Sequence, residues 1–240
     1  MKYNNICKGK FIERPNRFVA YVEIEGKREK VHVKNTGRCR ELLIPGAEVY
    51  LEDFSGCMGT RKLRYSLVSV EKNVNGERIL VNMDSQAPNK VVREALESKE
   101  LIFESFSDIK TVISEKVYGN SRFDFYMENV EGKKAFLEVK GVTLEESNIA
   151  LFPDAPTERG VKHIEELIKA KDEGFWAGIV FIIQMKGISL FKPNWKTHKN
   201  FAYSLKKAEE RGVYICAYDC FVTDKTLKID HNIKIDLTEI

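Results

Sequence analysis

Arg122–Lys140 reads RFDFYMENVEGKKAFLEVK. Phe123, Phe125 and Met127 alternate with Asp124 and Tyr126, the period-two pattern of a half-buried strand, and Ala135–Lys140 repeats it beyond a turn at Gly132. Side chains two apart on a strand share a face, so Glu138 and Lys140 project together while Leu137 and Val139 point the other way. The two strands form a hairpin, and the length of its loop decides which residues meet. A three-residue loop at Val130–Gly132 pairs Asp124 with Glu138 and brings both carboxylates to one face, whereas a two-residue loop opposes Asp124 to Val139.

With the first register, two carboxylates and an ammonium converge as in a divalent-metal site of restriction-endonuclease type. Mg²⁺ (or Mn²⁺) takes oxygen ligands and keeps several waters, and charge at that point favours attack of water on phosphorus. Lys140 then holds or deprotonates the water and neutralises a phosphate oxygen. Charged residues on the solvent face of an ordinary hairpin give the same pattern, so the reading leans on two other segments. Glu94, in NKVVREALES, lies on a helix where its carboxylate would reach the metal through water. In PDAPTERGVKHIEEL, Asp154 and two prolines shape a loop, Thr157 is set to cap a helix, and Arg159, Lys162 and His163 stand near the helix N-terminus, where anions are favoured. A surface Arg and His beside a domain seam is the competing reading there.

Upstream, Phe18, Ala20, Val22 and Ile24 alternate with polar residues before a Gly26 turn. Short strand signals follow at Val31–Val33, Val49–Leu51, Tyr65–Val70 and Ile79–Val81, with only Arg38–Leu43 helical in pattern. Five short strands and one helical turn predict a small barrel of oligonucleotide-binding (OB) type, and an SH3-like barrel fits the periodicity as well. The turn-rich run Asp84–Asn89 marks a boundary, giving an OB-like nucleic-acid-binding domain over 1–84 and a nuclease-like domain over 85–240. The second part alternates strands at Thr111–Val117, Arg122–Met127, Ala135–Lys140, Ile179–Ile183 and Val213–Ala217 with helices near Thr157–Glu173 and His198–Arg211. That order predicts an α/β fold on a mixed sheet.

With 43% hydrophobic and 31% charged residues, the chain is globular in composition rather than disordered. The basic excess sits in one part: residues 1–84 carry 16 Lys/Arg against 11 Asp/Glu, and 85–240 carry 23 against 25. A basic module beside a slightly acidic one suits phosphate binding next to cation binding, although a solvated charged surface looks no different. The N-terminal segment lacks the apolar core of a signal peptide, and no run approaches a membrane span, so a cytoplasmic protein without a membrane partner is expected. Five cysteines without a CxxC pair are expected as reduced thiols.

The blocks RFVAYVEIEG, HVKNTGRCRELLIPG, NKVVREAL, SRFDFYM, FLEVKGVTLEESNIALFPDAPTERGVKHIEELIKA and VFIIQ, spread over nearly the whole chain, resemble the sugar fermentation stimulation protein A (SfsA) family. The resemblance implies an OB-like fold followed by a PD-(D/E)XK nuclease-like domain, in a protein described as DNA-binding and linked to regulation of sugar use. Its nuclease-like core falls on Glu94, Asp124, Glu138 and Lys140, with Asp124 preceded by Phe123 instead of the proline common in such nucleases. The expected metal set is Asp124, Glu138, the backbone carbonyl of Val139 and, through water, Glu94.

For nucleic acid in the small domain the expectation is Arg14, Arg17, Lys34, Arg38 and Arg40, with Asn35, Thr36 and Gly37 offering backbone N–H groups to a phosphate. Arg61, Lys62 and Arg64 form a second cluster, and Phe11, Phe18, Tyr21 and Tyr65 are available for stacking or for the core. Three functions stay open: a Mg²⁺-dependent nuclease, DNA favoured over RNA; a non-catalytic DNA-binding regulator on a nuclease-like platform; and a metal-stabilised module for another ligand. A homodimer is compatible with the first, since double-strand cleavage often uses two sites.

Overall fold

The computed structural model describes all residues except Thr36, Asn75, Glu104 and Ile240. Six strands build the first unit: β1 (Ile6–Asn16), β2 (Val19–Ile24), β3 (Lys27–Val33), β4 (Glu48–Asp53), β5 (Tyr65–Val74) and β6 (Glu77–Asn82). Their order is β3-β2-β1-β4-β5-β6, and a parallel β3–β5 pairing closes the first five into a barrel. Closure hides the free edges that an open five-stranded sheet would expose. Strand β1 was not anticipated, because ICKGKFIERPN mixes charge with isolated apolar residues and a register shift at Phe11/Glu13 breaks its alternation. Arg38–Leu43, expected as helical, forms only turns, closed by Leu43 N–H on the Cys39 carbonyl at 3.0 Å. The residues between this turn and Pro45 are too few to propagate a helix.

A helix, α1 (Ala87–Glu97), leads into a meander of β7 (Ile109–Tyr118), β8 (Ser121–Asn129) and β9 (Lys134–Val142). After β10 (Leu144–Glu146) and β11 (Ile149–Phe152) the chain forms α2 (Glu158–Asp172), β12 (Trp176–Ile183), β13 (Leu190–Pro193), α3 (Lys199–Glu210), β14 (Tyr214–Val222), β15 (Leu227–Asn232) and β16 (Lys234–Ile235). The main sheet runs β15-β14-β12-β9-β8-β7, with β9, β12 and β14 parallel and the outer pairs antiparallel. Strand β12 (WAGIVFII) is buried along its whole length because helices cover both faces of the sheet centre, which demands an unbroken apolar run. A smaller four-stranded sheet, β10-β11-β13-β16, lies beside it.

Capping agrees with the sequence: the Thr157 side chain accepts from Gly160 N–H at 3.0 Å and opens α2. The β8–β9 hairpin pairs Phe125 with Leu137 and Met127 with Ala135, the register set by a three-residue loop. Gly132 takes φ +80°, and Asn129 Oδ1 accepts from the Glu131 and Lys133 N–H groups, fixing the turn.

One apolar cluster runs from barrel residues Val22, Val49 and Leu67 to Ile164 and Leu167 of α2 and Phe181 of β12. A second lies on the α1 side, around Val92, Leu96, Leu137 and Val180. Polar ties reinforce the seam between barrel and sheet. Gln184 Nε2 donates to the Asn82 and Asp84 carbonyls at 3.1 and 3.0 Å, and Lys72 Nζ reaches the Glu145 carbonyl at 2.8 Å. Among the described residues no helix is long and apolar enough to cross a membrane.

Candidate metal and nucleic-acid site

Strand β9 carries Glu138 and Lys140 toward α2, and β8 places Asp124 beside them. Asp124 Oδ2 accepts the Val139 N–H at 2.8 Å, which pins the carboxylate across the hairpin at the position the register requires. Its other oxygen accepts from Asn89 Nδ2, on the first turn of α1, at 2.7 Å. Glu138 is 2% exposed. Its Oε1 receives Lys140 Nζ at 2.5 Å and is hydrogen bonded to His163 Nδ1 of α2. Its Oε2 is buried and has no hydrogen-bond partner among the described residues.

The two carboxylates are electrostatically unequal. Burial first and the Glu138 charge second raise the Asp124 carboxyl to about 6, against the opposing Val139 and Asn89 hydrogen bonds. Burial also works against ionised Glu138, but the His163 hydrogen bond and the Lys140 charge outweigh it and hold the group below its usual value. A buried carboxylate with one unsatisfied oxygen, next to a second whose ionisation it suppresses, lacks positive charge. Hard oxygen donors without a thiolate suit Mg²⁺ or Mn²⁺, so the residues present fit the expected ion.

The structure brings Asp124, Glu138 and Lys140 together and leaves Glu94 apart. Glu94 is exposed on the far side of α1, and its carboxylate pairs with the Met1 ammonium at 2.6 Å. The helix buries Val91, Val92, Ala95 and Leu96 against the sheet, which turns Glu94 outward. Asn89, three residues before Val92 and seven before Leu96, is the α1 residue that faces the site. That i, i+3, i+7 spacing was the available signal. His163 also sits inward of the exposed Arg159 and Lys162 with which it was expected. At 6% exposed, it lies in the buried stripe of α2 with Gly160, Ile164 and Leu167, and its ring contacts Glu138. Arg159, exposed at the helix start, donates Nε to His163 Nε2 at 3.3 Å, and exposed Lys162 reaches the Asn120 carbonyl at 3.1 Å.

In the barrel the expected basic residues divide into two kinds. Arg14 spans the carbonyls of Gly37, Arg38, Arg17 and Asn35 at 2.6–3.0 Å, so it shapes the loop instead of facing solvent. Lys34 is spent on buried Asp84 at 3.0 Å. Arg17, Arg38 and Arg40 are exposed and line a groove of about 430 Å³ with Phe11 and Pro45. Asn35 Oδ1 accepts the Gly37 N–H at 2.7 Å, and Thr36 lies outside the described residues. Gly37 packs so closely that a Cβ there would stand 2.5 Å from Asp154 Oδ2, so the basic loop meets the segment leading into α2. Both line a polar pocket of about 180 Å³ with Gly141, the residue after Lys140. Of the aromatics, Phe11 and Tyr65 are core, while Phe18 is 49% exposed with the Arg17 guanidinium 5.0 Å from its ring.

A further set of ligand-type side chains, Asp219, Asp230 and His231, lies within 4.8 Å. The Lys186 ammonium already contacts Asp230 and stands 3.0 Å from His231 Nδ1, supplying the cation there.

An OB barrel joined to a mixed-sheet α/β domain of restriction-endonuclease-like type, with an acidic pair and a lysine at the hairpin, defines the class of protein. The family profile described as "SfsA N-terminal OB domain" matches residues 12–82, and "Sugar fermentation stimulation protein RE domain" matches 86–226. The chain belongs to the sugar fermentation stimulation protein family. It is 53% identical over 239 residues to the sugar fermentation stimulation protein homolog of Desulfitobacterium hafniense, covering 100% of both chains. With the homolog of Ruminiclostridium cellulolyticum it shares 52% identity over 237 residues, 99% of this chain and 100% of that one. The solved structure of Pyrococcus furiosus SfsA in complex with Ca²⁺ superposes with a TM-score of 0.85 at 31% identity, covering 98% of each chain.

Proposed function

We propose that this protein is a divalent-metal-dependent phosphodiesterase acting on nucleic acid, with DNA favoured over RNA. On this reading, residues 1–84 form the binding domain and residues 85–240 form the nuclease domain of a cytoplasmic enzyme. The observation that carries it is the buried, unpartnered Glu138 Oε2 beside an Asp124 carboxyl raised to about 6, with Lys140 at hand. A binding platform without metal has no use for such a pair, since uncompensated carboxylates repel phosphate.

Asp124, Glu138 and the Val139 carbonyl hold Mg²⁺ or Mn²⁺, and the Ca²⁺ complex of the P. furiosus relative supports a divalent ion in this family. When bound, the ion supplies Lewis-acid charge at the phosphoryl group. Lys140 orients the attacking water and offsets charge on a phosphate oxygen. His163 and Asn89 keep the two carboxylates in place, and Arg17, Arg38 and Arg40 hold the phosphodiester backbone.

The test is cleavage of labelled single- and double-stranded DNA and RNA in Mg²⁺, Mn²⁺ or EDTA, comparing wild type with Glu138→Ala. Metal-dependent cutting that the variant loses is the expected result. The exposed Arg17, Arg38 and Arg40 groove, complete without any metal, favours a second reading, a DNA-binding regulator of sugar metabolism on a nuclease-like scaffold. Binding without cutting in every metal would select it.

A further inference from the structure

The loop between β4 and β5 places Arg61 and Lys62 opposite His32 of β3, and with Leu63 they line a cavity of about 250 Å³. Barrels of this architecture receive oligonucleotides on the β2–β3 face and in the loop between their fourth and fifth strands. His32 stands on that face, paired with Val19 of β2 on one side and Ser66 of β5 on the other.

Arg61 is built in rather than free. Its guanidinium stacks 3.7 Å from the centre of the Phe54 ring, and Nη2 donates to the hydroxyl of fully buried Ser66 at 2.5 Å. Its Nε is buried and has no hydrogen-bond partner. Lys62 is exposed and makes no hydrogen bond or ion pair among the described residues. Arg64, the third cation of the loop, is withdrawn onto Asp53 through two bonds of 2.8 and 2.6 Å.

Among the described residues no carboxylate lines the cavity. The nearest acidic charge toward His32 is Asp84, which is fully buried and already bonded to Lys34. A guanidinium held over Phe54, an exposed ammonium and an imidazole thus line one space into which the described residues bring no anion. The planar Arg fork and the lysine point charge together match the oxygens of a phosphate.

We infer that His32, Arg61 and Lys62 form a binding site for a phosphate group, separate from the carboxylate site and independent of any cleavage there. The charges facing His32 from its surroundings are Arg61 and Lys34 on the positive side and Asp84 on the negative. Burial, Arg61 and Lys34 in that order hold the imidazole below its usual value, so a bound phosphate draws a proton onto it.

The experiment follows the imidazole resonances of the full chain by NMR at constant ionic strength, with His32 assigned through His32→Gln. One arm adds inorganic phosphate to millimolar concentration against a chloride control, and the other adds a single-stranded oligothymidylate. The expected result is a His32 shift with its titration moved upward, weakened about tenfold or more in Lys62→Ala and in Arg61→Lys. Arg61→Lys keeps a cation over Phe54 and guards against loss of the fold. A response to inorganic phosphate alone assigns a free phosphate ligand. A response to the oligonucleotide, with a salt dependence flatter by about one in Lys62→Ala, assigns a backbone phosphodiester. No His32 shift in either arm, or a shift undiminished in both variants, overturns the site.

Discussion

Asn89 Nδ2 donates to Asp124 Oδ1 at 2.7 Å, tying the first turn of α1 to the hairpin that carries the acidic pair. Asp124 is held from two sides, since Val139 N–H occupies its other oxygen. A ligand carboxylate fixed before the ion arrives loses less entropy on binding, and removal of such outer support weakens metal affinity about 10–100-fold. Asn89→Ala should therefore lower Mn²⁺ affinity about tenfold by calorimetry, with a thermal midpoint within about 2 °C of wild type. Equal affinity in the two proteins would show that Val139 alone orients Asp124.

The pH dependence of stability follows from the same residue. Its folded value, about 6, lies above the ordinary 3.8, so protonation favours the fold. That contribution is complete below pH 4 and is lost as pH rises through 6. Asp124→Asn stays uncharged, and its amide can serve both partners: Oδ1 accepts from Val139 N–H while Nδ2 donates to a flipped Asn89. In EDTA the variant should melt higher than wild type at pH 8, by an amount of order 2 kcal/mol, and match it near pH 4. With Mn²⁺ the order should invert, because on the proposed function the variant has lost a ligand. Melting curves that coincide at every pH in EDTA would contradict a carboxyl raised by burial and by the Glu138 charge.

His163 reports on Glu138 in a different way. Removing the imidazole leaves a 2% exposed carboxylate with Lys140 alone, and a buried charge stripped of a hydrogen bond costs about 2–3 kcal/mol. His163→Ala should lower the metal-free midpoint by about 5–8 °C. Saturating Mn²⁺ should restore part of the difference by supplying the missing positive charge. A deficit unchanged by metal would mean that the loss is only a packing cavity among Ile164, Leu167 and Phe123.

These three residues also show where the sequence was legible. The alternation in β8 and β9 and the Gly132 turn were enough to place Asp124 opposite Glu138, because register follows from a period of two and a loop length. The Thr157 cap and the apolar stripe of α2 were visible for the same local reason. The place of Glu94 is not legible in the sequence, because it depends on which helix face meets the sheet, and Val92 and Leu96 carry Asn89 inward. His163 was grouped with Arg159 by their i, i+4 spacing, although Ile164 and Leu167 put it equally in the buried stripe. Strand β1 was hidden because its pairing with β2 and β4 is non-local and its own pattern is broken by register shifts.

The basic loop offers a contrast between two arginines that sequence reasoning had treated alike. Arg38 projects from the groove wall without a side-chain bond among the described residues, whereas Arg14 closes the loop through the four carbonyls of Asn35, Gly37, Arg38 and Arg17. Loss of a phosphate contact weakens binding uniformly across sequences and reduces the salt slope by about one, and loss of a loop brace does neither selectively. Arg38→Ala should lower affinity for a labelled duplex in Ca²⁺, measured by fluorescence anisotropy from 50 to 300 mM salt, with a flatter slope and an unchanged melting midpoint. Arg14→Ala should instead lower the midpoint by several degrees, since the part-buried carbonyls of Gly37 and Asn35 and the exposed ones of Arg38 and Arg17 lose a charged donor worth about 1.5–3 kcal/mol in total. A sequence-selective loss in Arg38→Ala would mean contact with a base edge, and an unchanged slope would remove Arg38 from the interface.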